Sequence, residues 1–120
     1  MRLGRLKGMT LVALAAACSL TGTQYGTGNG TPPPNTVYME NTTFNPNDLT
    51  VKAGTTITWS NQDPFQHSVV YSAGPDSAFS DTIPVGGIFQ HTFKTPGTYS
   101  YYCAIHGTPT TGMHATITAQ

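Results

Sequence analysis

From residue 36 onward, apolar and polar positions alternate in short runs. TVYM (36–39), LTVKA (49–53), TTITWSN (55–61), HSVVYS (67–72), IFQHTF (88–93), GTYSYYC (97–103) and HATITA (114–119) are rich in β-branched and aromatic residues and predict seven strands. NPND, KAG, QDP, AGPD, PVGG and KTPG separate them as turn and breaker signals. No segment sustains a helical period with caps. Within TTITWSN, Ile57 and Trp59 share one face while Thr56 and Thr58 share the other. Tyr99, Tyr101 and Cys103 likewise share a face, opposite Ser100 and Tyr102. Strands recurring roughly every ten residues with turn signals between them predict an all-β fold, an antiparallel β-sandwich or barrel. Trp59 and Met39 are expected in its core.

The chain before residue 36 follows a different rule. Arg2, Arg5 and Lys7 precede an apolar run from Met9 to Ala17 that is too short to span a bilayer, the pattern of a secretory signal at 1–17. It ends LAAAC, which resembles a bacterial lipoprotein signal and makes Cys18 the lipid-bearing first residue after cleavage. The departure is Ala15, where that signal usually has a larger aliphatic residue. Residues 18–35, dominated by Thr, Gly and Pro, have nothing to bury and are expected to tether the domain at 36–120. The expectation is therefore an exported protein, periplasmic or at an extracytoplasmic membrane surface, held by an N-terminal lipid anchor.

Export changes the charge account. Three of the five basic residues lie in the signal, leaving Lys52 and Lys94 against Glu40, Asp48, Asp63, Asp76 and Asp81, a net charge near −3. Such a chain has no basic face for nucleic acid. With Cys18 removed or lipidated, Cys103 has no intramolecular partner, so a structural disulfide is excluded. A lone thiol outside the cytoplasm is an oxidation liability, and a bound metal would protect it.

The residues around Cys103 supply the other ligands. Cys103 and His106 are two residues apart at the end of a predicted strand, Met113 follows just before the last strand, and His67 begins another strand upstream. One soft thiolate, two imidazoles and one weak thioether select copper, in the arrangement of a type 1 electron-transfer site. Structural zinc would take a closing Cys or His rather than a thioether. A Cys–His protease would need an orienting Asn or Asp and a donor-lined pocket, and nothing local suggests one.

FNPNDLTVKAGTTITWSNQD, FQHSV and GTYSYYCAIHGTPTTGMHATIT together resemble a cupredoxin of the plastocyanin and amicyanin group. The resemblance covers nearly all of 36–120. It implies a Greek-key β-sandwich holding one type 1 copper through His67, Cys103, His106 and Met113, and cycling between Cu(I) and Cu(II). It also implies single-electron exchange with redox partners such as cytochromes, oxidases or reductases, through an apolar surface near His106 to which Phe65, Ile105 and Pro109 contribute. Tyr102 resembles a position implicated in electron exit, and packing on the sandwich is its other role. Two departures stand out: the interval from His106 to Met113 is long, and Ser68 stands where the family often has Asn.

Of the remaining candidates, His91 is expected to be a strand residue facing solvent or a polar partner. His114 should point away from Met113 along a strand, and would replace it as a ligand only if the loop folds differently. The chain has no second cysteine near Cys103 for a dinuclear copper centre and lacks the extra histidines of a multicopper enzyme, so it is read as a carrier and not an enzyme, with a monomer as the default state. The competing function is copper storage, delivery or resistance without electron transfer. A metal-free structural sandwich would leave Cys103 unexplained.

Overall fold

A computed structural model describes residues 30–76 and 78–120. The signal pattern, Cys18 and most of the expected tether lie outside the described residues. Nine strands follow one another: β1 (Thr36–Glu40), β2 (Thr43–Asn45), β3 (Asp48–Val51), β4 (Thr55–Asn61), β5 (His67–Ala73), β6 (Ser80–Ile83), β7 (Ile88–Phe93), β8 (Gly97–Gly107) and β9 (Gly112–Ala119). They form a four-stranded sheet in the order β2-β1-β4-β7 and a five-stranded sheet in the order β3-β9-β8-β5-β6. No helix is present among the described residues.

All seven expected strands form, and β4 and β7 have the expected bounds. Two short strands, β2 and β6, had no clear pattern in the sequence. The antiparallel expectation needs correction, because β1 pairs with β4 in parallel and β3 pairs with β9 in parallel. Each of these pairs joins strands that are separated in the chain by segments of the opposite sheet. A direct hairpin connection, which would force antiparallel pairing, is therefore not required.

Alternation sorts the side chains between core and surface as expected. Ile57, Trp59 and Asn61 on β4, and Tyr99, Tyr101 and Cys103 on β8, all point inward and are buried. Trp59 sits among rings from both sheets, with centroids 5.5 Å from Phe89, 6.1 Å from Phe93 and 5.3 Å from Tyr101, the last edge-on at 84°. Edge-to-face pairs of this kind contribute roughly 0.5–1.5 kcal/mol beyond their area burial. The Trp59–Tyr101 contact thus clamps the two sheets together two residues before Cys103. Met39 is fully buried, as expected.

His91 departs from its expected surroundings. It shares the inner face of β7 with Phe89 and Phe93, and its ring stacks on Phe79 at a centroid distance of 4.3 Å. Its Nε2 is buried without a hydrogen-bond partner. Burial pushes its pKa below the usual histidine value, against the pull of Asp76. The imidazole packs against the aromatic rings of Phe79 and Phe93 at the edge of the core.

Candidate metal centre

Three elements converge at one end of the sandwich: the β4–β5 loop, the end of β8 and the start of β9. The loop is fixed first. Asn61, the last residue of β4, is buried, and its amide donates to the carbonyls of Phe65 (2.8 Å), Ile83 (3.2 Å) and Pro84 (3.2 Å). Its side-chain oxygen accepts the N–H of Asp63 at 3.0 Å. One side chain therefore braces both ends of the segment that delivers His67.

The β8–β9 ladder explains the Cys-x-x-His spacing. Tyr102 pairs with His114, and Gly107 pairs with Gly112. Between those pairs, residues 103–106 of β8 face Met113 alone on β9, so β8 bulges there. The bulge turns Cys103 and His106 toward one point, and it explains why β8 runs on through Gly107 where the sequence predicted a loop after residue 103. Met113, 2 % exposed, lies within β9 rather than before it, and His114 points the other way into solvent, as expected. The long interval from His106 to Met113 closes as a tight turn. The Thr108 N–H donates to the Thr111 carbonyl at 2.9 Å, and the Thr111 N–H donates to the Thr108 hydroxyl at 3.1 Å.

His67, Cys103 and His106 present one donor atom each, all within 4.8 Å of one another. The two Nδ1 atoms are 3.1 Å apart, and Cys103 Sγ is 3.7 Å from that of His67 and 3.6 Å from that of His106. A point equidistant from the three atoms of this triangle lies about 2.0 Å from each, the length of a metal–imidazole bond and about 0.3 Å short of a metal–thiolate bond. The donor set fits a copper ion. His67 and Cys103 are fully buried, His106 is half-buried, and the Phe65 ring packs against both imidazoles at 5.2 and 5.3 Å.

The surrounding hydrogen bonds set the chemistry of the donors. Ser68 donates its N–H to Cys103 Sγ at 3.3 Å, its hydroxyl lies 3.8 Å from the same sulfur, and its oxygen accepts the Ala104 N–H at 2.8 Å. The Ser68 side chain thus ties the start of β5 to the end of β8 beside the thiol. Ser68→Ala removes the acceptor for a part-buried N–H. It should cost about 1–3 kcal/mol of unfolding free energy while leaving a coloured, copper-loaded protein. Urea unfolding and the visible spectrum measured side by side would check both parts, and a stability unchanged from the parent would show that water replaces the hydroxyl.

Asp63 is the residue that sequence reasoning missed. Its Oδ2 is 2.7 Å from His67 Nε2, and its two oxygens also accept the N–H groups of Asn41 (2.7 Å) and Thr42 (2.9 Å). Burial alone would raise the pKa of this carboxyl. The hydrogen bonds from Thr42, His67 and Asn41 outweigh it and hold the pKa below the usual value. A carboxylate only accepts, so Nε2 carries the His67 proton and the Nδ1 lone pair faces Cys103 and His106. Burial also keeps the His67 pKa below its ordinary value, in spite of Asp63, which favours the neutral ring that a metal ligand requires. The only available signal in the sequence was a carboxylate four residues before the first His.

A buried thiol and two imidazoles at the end of a β-sandwich make this a cupredoxin-type copper protein. Residues 34–120 match the family described as copper binding proteins, plastocyanin/azurin family. The chain belongs to that family. It is similar to plastocyanin from Scenedesmus fuscus, 35 % identical over 86 residues that cover 64 % of this chain and 86 % of the relative. Among solved structures it is similar to a Cu(I) form of an amicyanin variant, with a TM-score of 0.62 and 27 % identity over 71 % of this chain and 80 % of that one. A copper-containing nitrite reductase from Thermus scotoductus SA-01 aligns with a TM-score of 0.65 and 30 % identity over 74 % of this chain, but over only 23 % of the reductase.

Proposed function

We propose that this protein carries single electrons between redox partner proteins outside the cytoplasm, as a type 1 copper protein tethered to a membrane by a lipid on Cys18. His67, Cys103 and His106 would hold the copper in this reading, and Met113, opposite the β8 bulge, would add a weaker thioether contact. Bound copper supplies the one-electron couple between Cu(I) and Cu(II). The chain's own contribution is to hold the donors still, so that little reorganisation accompanies each transfer. The half-buried His106, with Phe65 (40 % exposed), Ile105 (52 % exposed) and Pro109 around it, is the exit toward a partner such as a cytochrome, an oxidase or a reductase. A small apolar patch suits a transient encounter. No substrate is converted in this reading, and the carrier is a monomer.

The observation that carries the proposal is the braced donor triangle, with two of its three corners sealed from solvent. A storage or delivery protein must release its metal to an acceptor, which favours mobile, accessible ligands. Titration with Cu(II) should saturate at one ion per chain and generate an intense visible band, which reductant bleaches and oxidant restores over repeated cycles. Rapid loss of copper to a metal-free acceptor, with poor cycling, would instead move the storage and delivery reading ahead.

A further inference from the structure

The Asp63 carboxylate sits at a junction between two otherwise separate parts of the chain. On one side is the two-residue turn between β1 and β2, where Glu40 pairs with Thr43 and the turn residues Asn41 and Thr42 both have positive φ, 51° and 59°. Left-handed backbone at a β-branched residue is costly, and such a turn normally takes Asn-Gly. Here both turn N–H groups point at Asp63, which offsets that cost. On the other side is the buried imidazole of His67, bonded through Nε2 at 2.7 Å. The carboxylate is 7 % exposed and has three donors, so its position is set by the fold.

On the reading of the site as a copper centre, we propose that Asp63 is its positioning residue: anchored by the Asn41 and Thr42 N–H groups, its carboxylate fixes the His67 ring with Nδ1 inward and holds the reduction potential of the copper below the value that a neutral side chain would give. The physical reason is direct. A carboxylate that accepts from the distal N–H of a metal-bound imidazole orients the ring and raises its basicity. A more basic ligand, with a negative charge behind it, favours the doubly charged ion over the singly charged one. The effect passes through one hydrogen bond in a buried site, where solvent screening is weak. Ser68, which places an N–H and a hydroxyl against the Cys103 sulfur, acts in the opposite sense by drawing charge from the thiolate.

Asp63→Asn keeps the shape and one acceptor oxygen but removes the charge, and Asp63→Glu keeps the charge. Outer-shell partners of metal ligands contribute roughly 10- to 100-fold in affinity. If that loss falls on Cu(II) and spares Cu(I), the potential of Asp63→Asn rises by about 59 to 118 mV, at about 59 mV per tenfold for one electron. Asp63→Glu should lie closer to the parent than to Asp63→Asn. Cyclic voltammetry of the three copper-loaded proteins, with urea unfolding of their copper-free forms, reads both roles. A potential within about 10 mV of the parent, with a lowered unfolding midpoint, would make Asp63 a turn clamp only and overturn the proposal. Should Asp63→Asn fail to fold or load, the copper-free parent still decides. Its His67 ring should show by ¹⁵N NMR a single tautomer protonated at Nε2, and protonation at Nδ1 or a mixture of tautomers would overturn the proposal. A parent chain that never develops the visible band would defeat the electron-carrier reading, whereas a coloured parent whose potential ignores Asp63 would defeat this inference alone.

Discussion

Cys103→Ser is expected to abolish the intense visible absorption of the copper-loaded chain and leave the sandwich folded. The band requires a thiolate bonded to the metal, and Cys103 is the free cysteine of the described domain. Removing it leaves His67 and His106 as the donors of the triangle, with a hydroxyl in place of the soft sulfur. Copper affinity should then fall by more than the roughly 100-fold upper range for outer-shell changes, and cycling between oxidation states should be lost. The fold should tolerate the exchange, because the serine is slightly smaller and its oxygen can accept the Ser68 N–H that now approaches Sγ at 3.3 Å. A stability change of no more than about 1–2 kcal/mol is expected in the copper-free protein. Far-UV circular dichroism would confirm the strands, and absorption of the Cu(II) form would read the site. A strong band surviving in the variant would mean that His67 and His106 bind copper without this sulfur, and the electron-carrier mechanism would fall with it.

The strands were legible wherever one face is buried and the other wet. TTITWSN and GTYSYYC alternate cleanly, and Ile57, Trp59, Tyr99 and Tyr101 went where alternation sent them. β2 and β6 escaped because TFN and SDTI each bury a single side chain, Phe44 and Ile83, which is too little for a period to show. Pairing direction was illegible for a deeper reason. A period of two says which face a residue takes and nothing about which way the neighbouring strand runs. The parallel β1–β4 and β3–β9 pairs are therefore properties of the topology. His91 is a different kind of miss: in IFQHTF it has the same parity as Phe89 and Phe93, and that position, not its polar type, decides which face it takes.

At the site, the sequence singled out candidate donors because thiol and imidazole are scarce, and the structure brings those of His67, Cys103 and His106 within 4.8 Å of one another. The sequence concealed what holds them. Asp63 reads as one half of an ordinary Asp-Pro turn, and its three donors come from Asn41, Thr42 and His67, two of them more than twenty residues away. The β8 bulge was equally hidden, since a Cys-x-x-His spacing does not say whether a loop or an irregular strand brings its two ends together. Ser68 lies between these cases. Its departure from the usual Asn was visible, but whether a shorter side chain could still reach the Ala104 N–H depended on backbone positions that no spacing reveals.

Gly107→Ala is expected to open the junction that places Met113, at a cost of about 2–3 kcal/mol, the upper part of the range for overpacking. A Cβ built on Gly107 would meet the Met113 nitrogen at 2.5 Å and the carbonyl oxygens of Met113 and Thr111 at 2.9 Å, all of them backbone. No side chain can swing aside, so β8 or β9 must shift. Across the ladder Gly112 is under the same constraint, with φ at +68° and the His106 carbonyl 2.6 Å from any added Cβ. These two glycines let the ladder resume immediately beyond the bulge. Moving the strands apart would pull Met113 away while leaving Cys103, His106 and His67 near one another. The copper-loaded variant should therefore remain coloured, with altered relative band intensities and a shifted potential. Gly54→Ala isolates the other cost, because Gly54 has positive φ (+90°), as Gly112 does and Gly107 does not, but nothing lies within 4 Å of an added Cβ. Its cost should be backbone strain alone, about 1–2 kcal/mol, with an unchanged spectrum. Thermal unfolding and visible spectra of the two variants would separate the cases. If Gly107→Ala matches Gly54→Ala in both measurements, the close approach of β8 and β9 is not what positions Met113, and the proposed thioether contact to copper does not depend on it.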